Sequence, residues 1–176
     1  MSENKEKKSY EEAILIAEHV ISLIKPHCVR VEIAGSLRRK CQYVGDIEIV
    51  LIAKPYEVGL FESGVAEIIN QWQKVKGELN YGICKYTQRI HQSGIKIDFF
   101  FAQEDNWGNT LAIRTGSSDY SYKVLANGWK SAGYESENNY LYKIGDRTEK
   151  MVLKEEKDLF DLIGIEYIDP EKRNLN

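Results

Sequence analysis

Apolar and polar positions follow one another along the first hundred residues in patterns typical of helices and strands. Ser9 and Glu12 form the sequence pattern of a capping box, which predicts that a helix begins there, and Pro26 is expected to end it. The apolar positions of this helix recur at helical spacing: Ile14, Ala17, Ile21 and Ile24. Alternation over 29–34 predicts a first strand, and 46–53, which is apolar throughout its second half, predicts a strand buried on both faces.

The pattern changes near residue 102. Before that point helix and strand patterns alternate, as in a βαβ-rich layer, and after it turns and short helices dominate. We therefore place a boundary there and expect a small mixed subdomain beyond it. The other predicted elements are a helix over 65–75, strands over 83–90 and 95–101, helices over 106–113, 118–132 and 155–163, and a hairpin over 134–144.

Composition narrows the class of protein. The 176 residues include 43% hydrophobic side chains, enough to bury a core, and carry a net charge of −3. This charge excludes a globally basic nucleic-acid coat, so any contact with DNA or RNA must use local patches or a metal bridge. The three cysteines lack CxxC spacing, and no apolar run is long enough to span a membrane. We expect a soluble, cytoplasmic monomer without disulfides, structural zinc or a membrane partner.

Three acidic residues occupy predicted strands. Asp46 and Glu48 are two residues apart, so a strand points both side chains to one face. Asp98 interrupts an otherwise hydrophobic strand, where an unpaired carboxylate would be costly to desolvate. Carboxylates that meet on one face repel each other, and a divalent cation such as Mg²⁺ removes that repulsion. Taken alone, acids that alternate along a strand more often mark a solvated face.

A Gly-Ser pair and two arginines precede the first two acids. Gly35-Ser36 lets backbone N–H groups and a hydroxyl approach a phosphate closely, because glycine has no Cβ. Arg38 and Arg39 suit bidentate phosphate contacts. Each feature alone is more often a plain turn or a solvated loop, but together with the carboxylates they make a workable site for a nucleoside triphosphate with metal. The expected local basic face comprises Arg38, Arg39, Lys40, Lys85, Arg89 and Lys96.

The spacing of these residues resembles a known signature. Gly35-Ser36, then nine residues, then Asp46-Ile47-Glu48 looks like the signature of the nucleotidyltransferase superfamily. More narrowly, segments 34–39 and 44–49 resemble those of family X DNA polymerases. This resemblance implies a nucleotidyltransferase palm over 9–102, a mixed β-sheet with helices on one face.

The resemblance continues in the second part and covers about residues 10–174. Segment 114–117 is similar to the Thr-Gly-Ser turn of family X, and 138–142 is similar to its Asn-Glu-Tyr hairpin. Segment 159–174 is similar to the C-terminal ending of that family. The resemblance therefore implies a small α/β thumb over 103–176.

The same resemblance implies roles for individual residues. Asp46, Glu48 and Asp98 would be the catalytic residues that bind two Mg²⁺ ions, with Mn²⁺ as a substitute, and Asp98 would help to activate the primer 3′-hydroxyl. The implied nucleotide-binding residues are Gly35, Ser36, Arg39, Gly45, Thr115, Gly116, Ser117 and Ser121. The implied DNA-binding residues are Arg38, Lys96, Asn138 and Tyr140.

Three features depart from the family pattern. Glu48 stands where the family usually has a second Asp, which shifts the expected metal preference toward Mn²⁺. Ile113-Arg114 replaces the usual Tyr-Phe pair, so the resemblance does not imply the family's discrimination against ribose for this chain. Only about nine residues precede the first predicted helix, so we expect neither an N-terminal lyase domain nor a fingers domain, as in the smallest viral members.

The function expected from this resemblance is template-directed DNA synthesis. The chain would add dNMP from dNTP to a DNA 3′-hydroxyl by two-metal transfer, in short gap or end filling during DNA repair. Two alternatives remain open at this point. The acceptor could instead be an RNA end or a protein hydroxyl, or the chain could be a non-catalytic nucleotide- or DNA-binding module.

Overall fold

The computed structural model describes residues 7–54, 64–77 and 86–175. The chain divides into two compact units, Met1–Phe101 and Ala102–Asn176. Helices and strands occur in both units, so the prediction of an α+β protein is confirmed. Within the described residues, no helix is both long enough and apolar enough to cross a membrane.

The first unit is built on a five-stranded mixed sheet. Its elements are β1 (Lys8–Ser9), α1 (Tyr10–Ile24), a 3₁₀ turn (Lys25–His27), β2 (Cys28–Ile33), α2 (Gly35–Arg38), β3 (Tyr43–Val44), β4 (Asp46–Ala53), α3 (Gly64–Asn70), β5 (Gln73–Gly77), β6 (Tyr86–Ile90) and β7 (Lys96–Phe101). The strand order is β2-β4-β7-β6-β5. Strands β4 and β7 run parallel and the other neighbours run antiparallel, while β1 and β3 form a separate two-stranded ribbon.

The capping box predicted for the first helix is present. The Ser9 hydroxyl accepts a hydrogen bond from the Glu12 backbone N–H at 3.2 Å, and the Glu12 carboxylate accepts one from the Ser9 N–H at 3.1 Å. The helix ends at Ile24, and Pro26 lies in the 3₁₀ turn that follows. The start and the end predicted for α1 are therefore confirmed.

One face of the sheet forms the hydrophobic core of this unit. Ile47, Ile49, Ile97 and Phe99 point to that face and are fully buried. Helices α1 and α3 supply the other side of the core with Ala13, Ala17, Val20, Ile24, Val65 and Ile69. Fully burying one Ile or Leu side chain stabilises a fold by about 1.5–3 kcal/mol. Because successive side chains alternate between faces, the same strands present polar residues on the opposite face.

Two predictions in this unit need correction. The predicted helix over 65–75 is wrong at its C-terminal end, because α3 ends at Asn70 and Gln73–Gly77 forms strand β5. Backbone pairing of β5 with β6 overrides the helical spacing of the apolar residues, and Trp72 stacks on Phe99 at 6.0 Å from outside the helix. The strand predicted over 83–90 is confirmed over 86–90, and residues 83–85 lie outside the described residues.

The second unit contains short helices and a three-stranded antiparallel sheet. Its elements are α4 (Trp107–Thr115), α5 (Ser118–Tyr120), a π-helical segment (Ser121–Ala126), α6 (Asn127–Ser131), β8 (Tyr134–Glu137), β9 (Tyr140–Lys143), β10 (Asp146–Lys150), α7 (Glu156–Leu162) and a 3₁₀ turn (Pro170–Lys172). The predicted hairpin is confirmed as β8 and β9. Strand β10 was not predicted, because all its residues are exposed and none gives an apolar alternation.

Candidate active site

Strand pairing places the three predicted carboxylate residues on one face of the sheet. Glu48 of β4 lies directly opposite Asp98 of β7, and Asp46 lies opposite Lys96. Paired residues on neighbouring strands point to the same face, and Asp46 and Glu48 share a face because they are two residues apart. We call this face the polar face. It is the reverse of the face that Ile47 and Ile97 bury in the core.

Asp98 is the most enclosed of these acids, with 6% of its surface exposed. Its Oδ1 accepts hydrogen bonds from the Gln88 side-chain amide at 2.8 Å and from the Tyr86 hydroxyl at 2.5 Å. Burial is the main cause that raises the pKa of the Asp98 carboxyl, and the nearby Asp46 charge raises it further. The two hydrogen bonds and Lys76 act in the opposite direction but do not cancel the rise.

Gly35 lies directly against the Glu48 side chain. A Cβ at Gly35 would lie 1.9 Å from Glu48 Oε2 and 2.8 Å from its Cδ, and the φ of Gly35 is +63°. The preceding Ala34 N–H donates to the Glu48 carbonyl at 2.8 Å, which fixes this segment beside β4. The predicted Gly35-Ser36 turn is thus the start of the short helix α2, and the missing Cβ of Gly35 leaves room for the Glu48 carboxylate in its present position.

The three acids supply the donor atoms of a divalent-cation site, but their side chains are not arranged as one. Carboxylate oxygens are the donors that Mg²⁺ prefers, and the strand register brings three of them to one face. Among the described residues, however, no group of three or more acidic, histidine or cysteine side chains is arranged to hold a metal ion. The strand register therefore brings suitable donors to one face, and the side chains as they stand do not form a metal site.

The basic residues expected around this site separate into different places. Lys96 lies on the polar face, opposite Asp46. The prediction that Arg89 belongs to the basic face is wrong, because Arg89 pairs with Ile97 and its side chain points to the core side. It is 5% exposed and donates to the Asn70 side-chain oxygen at 3.0 Å. Lys85 lies outside the described residues.

Residues near the start of β4 occupy less enclosed positions. Ser36, Arg38 and Arg39 are half-buried in or directly after α2, and Lys40 is exposed. A Cβ at Gly45 would meet no atom within 4 Å, so packing within the protein does not require glycine there.

Sequence reasoning missed three residues on the polar face. Tyr86 and Gln88 hold Asp98, and Lys76 of β5 lies opposite Gln88 with its Nζ 5.4 Å from the Tyr86 ring centroid. The signal that identifies Gln88 is register: the hairpin that pairs Ile90 with Lys96 also pairs Gln88 with Asp98. Lys76 had no such signal, because it directly follows the segment predicted as a helix over 65–75 and no strand was predicted there.

In the second unit, the predicted Thr-Gly-Ser turn follows α4. Thr115 is fully buried, so neither its side chain nor its backbone is exposed, and Gly116 adopts a φ of +65° before a cis peptide bond to Ser117. The Ser117 hydroxyl accepts a hydrogen bond from the Tyr120 N–H at 3.3 Å and so caps α5. The Ser121 hydroxyl donates to the Ile113 carbonyl at 2.9 Å, so its proton is already engaged within the unit.

The predicted DNA-binding residues Asn138 and Tyr140 lie in the β8–β9 hairpin. Asn138 and Asn139 form its two-residue turn with φ values of 54° and 66°, the positive pair typical of a type I′ turn. The Tyr140 hydroxyl donates to Asp105 Oδ1 at 3.0 Å, and Lys150 forms an ion pair with Asp105 at 2.6 Å. Burial acts to raise the pKa of Asp105, but the hydrogen bonds from Lys150 and Tyr140 outweigh it and lower that pKa.

A buried arginine organises the C-terminal segment of the second unit. Arg173 is fully buried and forms an ion pair with Glu156 at 2.7 Å. Its backbone carbonyl accepts hydrogen bonds from both the N–H and the hydroxyl of Ser117, each at 3.2 Å. The Thr-Gly-Ser turn is therefore tied to the C-terminal segment, a contact that sequence reasoning did not foresee for either Arg173 or Glu156.

The structure thus brings together the carboxylates, Gly35 and Lys96 in the first unit, and the Thr115–Ser121 and Asn138–Tyr140 segments belong to the second unit.

Comparison with known families gives a match in the second unit: residues 110–174 match the family model of the DNA polymerase beta thumb. Among curated proteins, none matches the chain. The C-terminal unit is therefore similar to the thumb of a family X DNA polymerase.

Proposed function

We propose that the chain is a template-directed DNA polymerase of the family X type, which adds dNMP from dNTP to a DNA 3′-hydroxyl during short gap or end filling. The observation that carries the proposal is the register of β4 and β7, which sets Asp46, Glu48 and Asp98 on one face with Gly35 against Glu48. The thumb match over 110–174 supports DNA as the partner.

The three carboxylates would hold two Mg²⁺ ions, with Mn²⁺ as a substitute. When bound, such ions supply positive charge where the attacking oxygen and the leaving pyrophosphate develop negative charge. Ser36 and Arg39 would bind the β- and γ-phosphates, and Gly35 keeps the space that the Glu48 carboxylate needs. Most of the rate enhancement would come from this positioning and electrostatic complementarity.

Asp98 would act on the primer terminus. In the reaction a bond forms between the primer O3′ and the α-phosphorus, the bond from that phosphorus to the pyrophosphate oxygen breaks, and the hydroxyl proton leaves. Burial raises the pKa of Asp98, which makes its carboxylate a better acceptor for that proton than an exposed aspartate. Lys96, which lies on the same face, would contact the primer backbone.

Asparagine substitutions test this function. We expect Asp46→Asn and Asp98→Asn each to reduce extension of a gapped primer to background, because each removes a charge but keeps the side-chain size. Glu18→Gln is the matched control: Glu18 is exposed on α1, which packs on the other side of the sheet, so activity should not change. Near-normal extension by either aspartate variant would contradict the proposal. Parallel reactions with NTPs and RNA primers distinguish DNA from another acceptor.

Asp98→Asn also separates loss of activity from loss of fold. Since the folded protein raises the pKa of this carboxyl, its ionised form costs stability at every pH above the ordinary value of 3.8 and costs nothing well below it. We therefore expect Asp98→Asn to be at least as stable as wild type at pH 7, and expect the difference to disappear in acid. Thermal unfolding with a chelator present measures this, and a strongly destabilised variant would make its inactivity uninformative.

A further inference from the structure

Two side chains of β6 converge on a single oxygen of Asp98. Antiparallel pairing places Gln88 directly opposite Asp98, and Tyr86 lies two residues earlier on the same face. Both donors reach Oδ1, the amide of Gln88 at 2.8 Å and the hydroxyl of Tyr86 at 2.5 Å. Among the residues that the structure describes, no side chain or backbone group donates a hydrogen bond to Oδ2 of Asp98.

The donors themselves are held in place by their neighbours. Gln88 is 6% exposed, as is Asp98, so neither side chain has room to rotate freely. The Tyr86 ring stacks on Phe100 of β7 with centroids 5.0 Å apart, and Lys76 lies over the same ring. This packing fixes the direction from which the tyrosine hydroxyl approaches Asp98.

Two donors on one oxygen fix the plane of a carboxylate and assign different roles to its two oxygens. We propose that Tyr86 and Gln88 are positioning residues that lock the rotation of Asp98, so that Oδ2 faces the cation and the primer terminus; this inference rests on the proposed function. Neither donor carries a charge. An arginine in their place would form an ion pair with the carboxylate and compete with the cation, whereas a phenol and an amide orient it and leave its charge available.

The proposal assigns a measurable role to two uncharged side chains. Tyr86→Phe keeps the ring that stacks on Phe100 and removes only the hydroxyl, and Gln88→Met keeps the length of the side chain and removes the donor. Loss of a residue that orients a metal ligand typically costs 10–100-fold in metal affinity or activity. We expect each variant to bind Mn²⁺ about 10-fold more weakly, and the double variant to approach the effect of Asp98→Asn.

The experiment measures two quantities on the full chain. Mn²⁺ binding is followed by electron paramagnetic resonance without nucleotide or DNA, and single-nucleotide gap filling gives kcat and KM for dNTP. We expect weaker Mn²⁺ binding and a lower kcat with nearly unchanged KM, since the residues proposed to bind the triphosphate, Ser36 and Arg39, lie in or directly after α2 and not on β6. Tyr43→Phe is the control, because Tyr43 is 58% exposed in the β1–β3 ribbon rather than in the main sheet.

A double-mutant cycle distinguishes positioning from a general structural role. In the Asp98→Asn background, Tyr86→Phe should have no further effect on Mn²⁺ binding, whereas a structural role would weaken binding equally in both backgrounds. If Tyr86→Phe and Gln88→Met both bind Mn²⁺ and extend the primer as the wild type does, this assignment is wrong, while the proposed function stands. A wild-type chain that neither binds Mn²⁺ nor extends a primer would overturn the proposed function and this assignment with it.

Discussion

Single residues determine whether three carboxylates can share the polar face. Asp98 is accommodated because two neutral donors satisfy one oxygen, and Glu48 is accommodated because Gly35 has no side chain. In both cases the neighbouring residue yields space or a hydrogen bond without adding charge. Neither Gly35 nor the two donors to Asp98 neutralise the carboxylate that they contact, and carboxylate oxygens are the donors that Mg²⁺ prefers.

Alanine substitutions at two glycines isolate the contact between Gly35 and Glu48. Gly35 and Gly94 have φ values of +63° and +82°, so alanine is strained at both and should cost each variant about 1–2 kcal/mol of stability. Only at Gly35 does the new Cβ collide with Glu48; at Gly94 it meets nothing within 4 Å. We expect Gly35→Ala to displace the carboxylate and to lose about 10²-fold in primer extension, while Gly94→Ala keeps its activity.

Thermal unfolding and gap filling on the two variants check this expectation. A larger fall in melting temperature for Gly35→Ala would report the collision independently of activity. Equal stability and equal activity in both variants would show that Glu48 moves aside without consequence.

For single residues, the sequence predicts the face on which the acids lie better than it predicts the residues that contact them. The two-residue spacing of Asp46 and Glu48 determines that they share a face, whatever the sheet around them. The face of Arg89, and the donors to Asp98, depend on the register between β6 and β7, which no local pattern specifies. For this reason Arg89 was assigned to the wrong face and Gln88 was not recognised.

Elements of the second unit are joined through one buried ion pair. The Arg173 guanidinium pairs with Glu156 of α7, donates to the Ile168 carbonyl at 2.8 Å and lies over the rings of Phe160 and Tyr167. The helix predicted over 155–163 and the hairpin predicted over 134–144 are confirmed, because capping, glycine and turn residues specify them locally. The ion pair could not be predicted, because an arginine and a glutamate in polar segments usually remain exposed.

Removal of one partner of this pair should destabilise the second unit strongly. We expect Arg173→Met to lower the free energy of unfolding by about 3–5 kcal/mol, because it leaves the Glu156 carboxylate buried without its counter-charge. The double variant Arg173→Met/Glu156→Leu should recover part of this loss, since apolar side chains fill the space but the Ile168 carbonyl still lacks its donor.

Urea unfolding of the full chain, followed by circular dichroism, gives these differences. Lys157→Met is the control, because its ion pair with Asp161 is exposed and such pairs contribute at most about 1 kcal/mol. If Arg173→Met proves as stable as this control, the ion pair does not organise the unit.

At the scale of the whole molecule, charge limits how tightly the chain can hold DNA. Residues 103–176 contain 10 basic and 14 acidic residues. At least six of these basic side chains are in ion pairs within the described residues of the unit: Lys123, Arg147, Lys150, Lys157, Lys172 and Arg173. The net charge of the sequence predicts weak binding, and the structure adds that much of the positive charge of the thumb-like unit is neutralised locally.

The salt dependence of DNA affinity tests this limit. Affinity falls with salt in proportion to the number of phosphates that the protein neutralises, with a double-logarithmic slope of about −0.9 per phosphate. If Lys76, Lys96 and the basic residues after Gly35 supply most of the contacts, the slope for a gapped duplex should be no steeper than about −5. Lys96→Glu should weaken binding and flatten the slope, whereas Lys157→Glu, at a side chain already paired with Asp161, should change little. Fluorescence anisotropy over a NaCl series gives both values. A slope near −8, or equal weakening by the two variants, would mean that the thumb-like unit opens its ion pairs to bind DNA, and that its local charge balance does not limit affinity.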